Sequence, residues 1–448
     1  MMHKLTFLFV VLICFHLPGN SQSDSLNLRP DAKTGWRIGV LPAVSYDADM
    51  GFQYGVLGQL NDFGDGSVYP DYNQMIYVEW SRFTRGTGVN QIFYDTKTLL
   101  PRHVRLTVDL SYLTDKALDF YGFNGYEVTY DPAFEDDESP DYISRMFYRH
   151  ERKQLRALLD FQGWITSRRF RWLAGISYYN FKIATVDIER LNKGKPEDKR
   201  LPDVPLLYDR YVTWGFIDDR EKDGGQTIYL KGGLIYDTRD NEPAPNRGLW
   251  EEMVILAAPS FIGNTEFAFT RLEITHRQYI PLIFNRLTLA YRVSYQGTIT
   301  GKAPFYIDPL LISSFSTATN NDGMGGAKSL RGIKRNRVVG DGTLMLNVEP
   351  RLKIWTTTLL KQNFYIALYG FLDMGRVVQD RYIDKSKLPA TEIYNNYFDL
   401  KTDRFHYSTG AGLRFVLNDN FIVSLDYGFA LDPRDGTSGL YINIGNLF

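Results

Sequence analysis

The chain has 448 residues, with 51 Lys and Arg against 52 Asp and Glu. A formal net charge of -1 offers no basic footprint for nucleic acid, and a single cysteine, Cys14, excludes an intrachain disulfide or a cysteine-based zinc site. Aromatic residues reach 15% and glycines number 38, yet no stretch after the N-terminus approaches the roughly 18 uninterrupted apolar residues of a membrane helix.

In chain order, Lys4 precedes an apolar run over residues 5–17, and Gly19 and Ser21 are small enough for a signal peptidase. Residues 1–21 therefore read as a cleaved export signal. Residues 22–35 read as a short periplasmic segment, and residues 36–448 as one barrel domain. The barrel reading rests on periodicity. Val104, Leu106, Val108, Leu110 and Tyr112 alternate with Arg105, Thr107, Asp109 and Ser111. Leu287, Leu289, Tyr291, Val293 and Tyr295 do the same, as do Leu344, Leu346, Val348, Leu352 and Ile354. Phe421, Val423, Leu425, Tyr427 and Phe429 close the series. Such segments are strands with one apolar and one polar face. Many are long enough to cross a bilayer at a tilt, whereas sandwich strands are usually about five or six residues. Abundant Tyr, Trp and Phe suit the two interfacial girdles of an outer-membrane barrel.

About sixteen strands are expected, an even number as in such barrels. Their centres lie near Val40, Gly55, Tyr77, Ile92, Val108, Leu158, Gly175, Leu230, Val254, Leu272, Leu289, Val348, Leu368, Ala411, Val423 and Ile444. Short links fall around Pro101, Arg168, Leu282 and Asp419, and long ones around Asp131, Lys195, Gly325 and Pro389. If the first strand rises from the periplasm, every long connection lies outside, where barrels carry their long loops. Phe448 is expected to share the outward parity of Leu440, Ile442 and Ile444.

Four motifs add a resemblance. Leu330, Arg331, Gly332 and Ile333 follow the glycine-rich segment 323–326. Asn347, Glu349 and Arg351 form an N-x-E-x-R strand, and Phe371, Asp373 and Gly375 an F-x-D-x-G strand. Asp237, Arg239 and Asp240, with Pro245 and Gly248, form a D-x-R-D…P-x-x-G turn. Together they resemble the BamA/TamA-like outer-membrane assembly factors, the bacterial surface antigen barrels, over residues 36–448. The departures are Ile333, where an aromatic is usual, and Pro350 within a strand.

The resemblance implies a loop folded into the lumen, with Arg331 meeting wall carboxylates. Glu349 and Asp373 share inward parity on neighbouring strands and are the expected partners. A guanidinium fork can bridge two carboxylates in a way that lysine cannot. Without the resemblance, the same acids read as lumen charges in water. The family's periplasmic polypeptide-transport-associated domains have no room in residues 22–35, which are too few for a folded domain.

The acidic run Asp131, Glu135, Asp136, Asp137, Glu138 and Asp141 lacks EF-hand spacing and reads as a solvated external loop. His103, His150, His276 and His406 are scattered, and no G-x-S-x-G elbow occurs. No metal, cofactor or enzymatic activity is therefore expected. The reading favoured by the motifs is insertion or translocation of protein at the bacterial outer membrane. A passive pore or lipid/solute conduit gated by the lumenal loop is the alternative, and a rim enzyme has no motif behind it. The implied partners are outer-membrane lipids and a client outer-membrane protein or a separately encoded periplasmic protein. A homodimer is left open.

Overall fold

The computed structural model describes residues 33–448 apart from 70, 101–103, 284–285, 315–321, 360–361, 389–396, 400–402 and 420. The expected signal at 1–21 and most of the segment at 22–35 lie outside the described residues. Seventeen strands form one antiparallel sheet closed on itself. They are β1 Trp36–Pro42, β2 Ser45–Asp47, β3 Gly51–Asp62, β4 Gln74–Phe83, β5 Thr87–Thr96 and β6 Arg105–Asp119. There follow β7 Arg149–Ser167, β8 Phe170–Ala184, β9 Gly224–Asp237, β10 Gly248–Ala258, β11 Phe269–Ile283 and β12 Leu287–Gly301. The last are β13 Gly342–Leu359, β14 Gln362–Gln379, β15 His406–Leu417, β16 Phe421–Ala430 and β17 Ser438–Ile444. Both β1 and β2 pair with β3. They are two halves of one staggered strand, so the wall is a sixteen-stranded barrel with one strand broken. Each of the sixteen expected centres falls in a strand.

Alternation places polar groups inside and apolar groups outside, the inverse of a soluble core. On β6, Arg105, Thr107, Asp109 and Ser111 are buried toward the lumen, while Leu110 and Tyr112 are exposed toward lipid. The four long connections, 120–148, 185–223, 302–341 and 380–405, all leave from one end. They do not stand free in water. Phe120, Phe123, Tyr211, Trp214, Phe305 and Phe398 from these loops share one buried cluster over that mouth, with edge-on rings such as Phe120 and Tyr211 at 5.2 Å. The acidic side chains Asp136, Asp137, Glu138 and Asp141 are exposed, as expected, but Phe134 and Phe147 on either side of them are buried.

Phe448 corrects an expectation. The chain leaves β17 at Ile444, turns at Gly445 with φ +91°, and packs Phe448 against Tyr279 and Ala290 inside the barrel. The guanidinium carbons of Arg292 and Arg351 stand 5.2 and 5.0 Å from its ring. Cation–π attraction and burial hold the ring inward, and strand parity does not extend past the turn at Gly445.

Candidate functional site

The segment 323–333 runs down inside the barrel and lies against β13–β16. Its shape depends on glycine. Gly325, Gly326 and Gly332 have φ of +119°, +78° and +95°, the left-handed region that other residues rarely adopt. Gly332 also lies directly on the wall: a Cβ there would come within 2.6 Å of the Gly428 carbonyl carbon and the Phe429 nitrogen on β16. Gly375 on β14 makes the matching space, since a Cβ there would meet Met324 Sδ at 2.7 Å and Leu330 Cδ1 at 3.0 Å. Leu330 and Ile333 are fully buried with Met324, Val338, Met345 and Val377, so Ile333 fills an apolar niche.

Arg331 has no exposed surface. Its Nε and Nη2 donate to Asp373 Oδ2 and Oδ1 at 2.9 and 3.0 Å. Its backbone N–H donates to Asp373 Oδ2 at 3.1 Å. Nη1 lies 2.8 Å from Glu349 Oε1 and 3.4 Å from Asp426 Oδ1, and the guanidinium sits 3.6 Å from the Phe371 ring centre. Burial opposes the charge of Arg331, but the carboxylates of Asp373 and Glu349 outweigh it and push its pKa well above the arginine range. The structure thus brings together Leu330, Arg331, Gly332, Ile333, Glu349, Asp373, Asn347, Phe371 and Gly375.

Asn347 ties the loop to this group, donating to the Ser329 carbonyl at 2.7 Å and to Asp373 at 2.8 Å. Arg351 pairs with Glu349 at 2.8 Å, and Arg414 on β15 reaches Glu349 at 2.6 Å. Pro350, between them, donates nothing to the ladder, and β13 has no β14 partner at 349 and 350. Sequence reasoning missed Asp426, Arg414, Arg292 and Tyr441. Asp426 sits on the polar parity of its strand, a signal that was available. Arg292 donates to Asn347 Oδ1 at 2.9 and 2.7 Å. Tyr441 on β17 accepts the Gly332 N–H at 3.1 Å.

Asp237, Arg239 and Asp240 stand apart, at the opposite mouth. Arg239 forks onto Asp237 at 3.0 and 3.1 Å and lies 4.2 Å from the Trp250 ring centre. Asp240 accepts from the backbone of Asn246 and Arg247 at 3.0 and 3.2 Å. The turn they shape crosses the periplasmic mouth, where Ala244 packs on Val416 and Ile422 and the Pro243 carbonyl accepts from Asn446 at 2.7 Å.

The wall closes on itself at one weak place. β17 meets β2 through Tyr441↔Asp47 and Ile442↔Tyr46 alone. Its other neighbour, β16, pairs with it through seven residues. β1 pairs with β3 only, and among the described residues its other edge has no partner strand. Trp36, Ile38 and Val40 on that strand are 50%, 72% and 62% exposed.

Residues 74–448 match the Omp85 superfamily domain. No curated relative matches the sequence. Among solved structures, BamA from Haemophilus ducreyi lacking POTRA domains 1–3 is similar at 15% identity with a TM-score of 0.57, over 92% of this chain and 70% of that one. CdiB from Escherichia coli matches at 11% identity and a TM-score of 0.49, over 91% of this chain and 62% of that one. CdiB from Acinetobacter baumannii matches at 13% and 0.44, over 92% and 66%. The barrel, the lumenal loop and the family match agree: the chain belongs to the Omp85 superfamily and is an outer-membrane β-barrel of that type.

Proposed function

We propose that this barrel inserts or translocates polypeptide at the outer membrane by admitting a client strand at the seam between β17 and the β1–β2 strand. The observation that carries this reading is the pairing: two residue pairs at the seam against seven at the neighbouring β16–β17 junction. A client strand can join a sheet only where backbone N–H and C=O groups are free. Free groups in hydrocarbon are costly, so a nearly unpaired edge calls for a partner. Gly39 and Pro42 keep the β1 edge weak, because glycine packs poorly and proline donates nothing.

Arg331, Glu349 and Asp373 act in this reading as a latch that holds the lumenal loop against β13–β16 while the seam opens. No enzymatic step is part of this reading. The client is an outer-membrane protein, delivered by a separately encoded periplasmic partner. A gated pore is the weaker alternative, because the aromatic loop cluster covers the outer mouth.

The test is a disulfide between Tyr46→Cys and Ile442→Cys, which face each other across the seam at a spacing that antiparallel neighbours provide. The oxidised protein is expected to stay folded by heat-modifiable gel migration and to lose client assembly, with reduction restoring it. Normal client assembly by the locked barrel overturns the proposal, and unaltered ion conductance alongside it favours the pore.

A further inference from the structure

The lipid-facing wall of β4–β8 carries an unpaired basic row. In register across five strands stand Arg82, Gly88, Thr114, Lys153 and Lys182. Arg82 lies across β5 because Gly88 has no side chain: a Cβ there would be 3.1 Å from Arg82 Cδ and 3.2 Å from its Nε. Lys116 sits just above, with its stem over Gly86. The row stands near the strand ends that carry the long loops. Beneath it the same registers give outward rows that include Trp80, Tyr112 and Leu155, then Val78, Ile92 and Leu110. Cations therefore stand directly above an apolar and aromatic wall.

The row lacks its countercharge. Lys153 and Lys182 are exposed and directly paired, and like charges directly opposite repel. Among the described residues no carboxylate forms an ion pair with Arg82, Lys153 or Lys182. Glu151, the nearest acid on the same face of β7, is taken by Arg190. Arg82 spends donors on the Ser81 and Val89 carbonyls and on Asn90 Oδ1. On β10–β12 the matching outer ends are uncharged: Ala257, Thr270 and Thr300 stand in register there.

We propose that this row is a headgroup site for a phosphate-bearing lipid of the outer leaflet, with the phosphate between Lys153, Lys182 and Arg82 and the acyl chains against the rows below. Charge complementarity and the position of the row select that occupant. A phosphate relieves the lysine–lysine repulsion, and long cationic stems reach the headgroup level while lying on apolar surface. The inference is independent of the protein-assembly reading.

Full-length barrel in detergent is titrated with dioleoyl phosphatidic acid, and bound lipid is counted by native mass spectrometry. Dioleoyl phosphatidylcholine and inorganic phosphate serve as comparisons. The wild type is expected to retain phosphatidic acid preferentially. The K153A/K182A and K153Q/K182Q variants should each weaken retention by about tenfold or more, while the charge-matched K193A/K302A variant, which removes two exposed lysines of the loops 185–223 and 302–341, retains it. Removing lipid-facing charge does not threaten insertion, and heat-modifiable migration checks the fold of each variant. Retention by both Lys153/Lys182 variants equal to the wild type overturns the proposal. So does equal loss in K193A/K302A, or displacement of the lipid by inorganic phosphate at equal concentration.

Discussion

The wall that receives Arg331 and the seam beside it are built on opposite principles. Along β12–β16 the backbone ladder is long, and an ion network that excludes water is added to it. At β17–β2 the ladder shrinks to two residue pairs, with no ion pair between the two strands among the described residues. The two regions meet at Tyr441, which belongs to the seam and accepts the Gly332 N–H of the latched loop. A barrel clamped on one side of its last strands and nearly free on the other can open at one place while the remaining wall keeps its shape.

The largest test of this contrast is Arg331→Ala. It strands Asp373 as a buried charge, while Glu349 keeps Arg351 and Arg414, and removing one partner of a buried pair costs about 3–5 kcal/mol. Full burial of Arg331 puts the loss within that range. Urea unfolding and protease cleavage within 302–341 measure it, and Arg331→Lys should rescue little because a point charge cannot fork onto Asp373. If Arg331→Ala left both readouts unchanged, the clamped side of the comparison would disappear.

Gly332→Ala ranks next. The added Cβ meets β16 backbone at 2.6 Å in a conformation with φ +95°, and strained backbone of this kind costs about 1–3 kcal/mol. Loosening of the loop with an intact barrel is expected, read by the same cleavage assay. Tyr441→Phe is smaller, about 1 kcal/mol for a lost hydrogen bond. It should speed hydrogen exchange at 46–47 and 441–442 without touching exchange in β13 and β14. Equal acceleration in both regions would mean that latch and seam are one cooperative unit.

Much of this was legible from residues. The alternation of polar and apolar positions placed a centre in every strand except the short β2, because a lumen full of charge and a lipid-facing surface impose period two. Arg331, Glu349 and Asp373 came from motif and parity together. Asp426 and Arg414 had the right parity, but only barrel curvature brings Arg414 of β15 to Glu349 on β13 and Asp426 of β16 to Arg331 of the loop. Gly39 and Pro42 on β1 and Gly445 after β17 mark the seam in the sequence, while nothing in the alternation announces the break between β1 and β2. The inward turn of Phe448 was hidden, since nothing in the periodicity describes chain beyond the last strand. The loop aromatics were overlooked beside the acidic run, although Phe134 and Phe147 flank it.

The last test lies at Asp49, in the turn after β2. Asp47, one of the two seam residues of β2, accepts from the backbone N–H of Asp49 and Met50 at 2.8 and 3.0 Å. A Cβ on Gly326 would lie 3.3 Å from Asp49 Oδ2, so the lumenal loop lies against this turn. Burial first, then the carboxylates of Asp47 and Asp119, push the Asp49 pKa up to about 7, and Arg335 opposes them. In the unfolded chain the group titrates near 4. Below that value it is protonated in both states, and the turn has its full stability. Between about 4 and 7 the folded turn holds a proton that the unfolded chain has released, so stability falls as pH rises and the loss is complete above the folded pKa. Opening of the seam should therefore increase between pH 5 and pH 8. Hydrogen exchange at residues 46–50, corrected for its intrinsic pH dependence, reads the change, and Asp49→Asn should flatten it. A slope that survives in Asp49→Asn would assign the pH response to another group and leave the weakness of the seam to its backbone pairing alone.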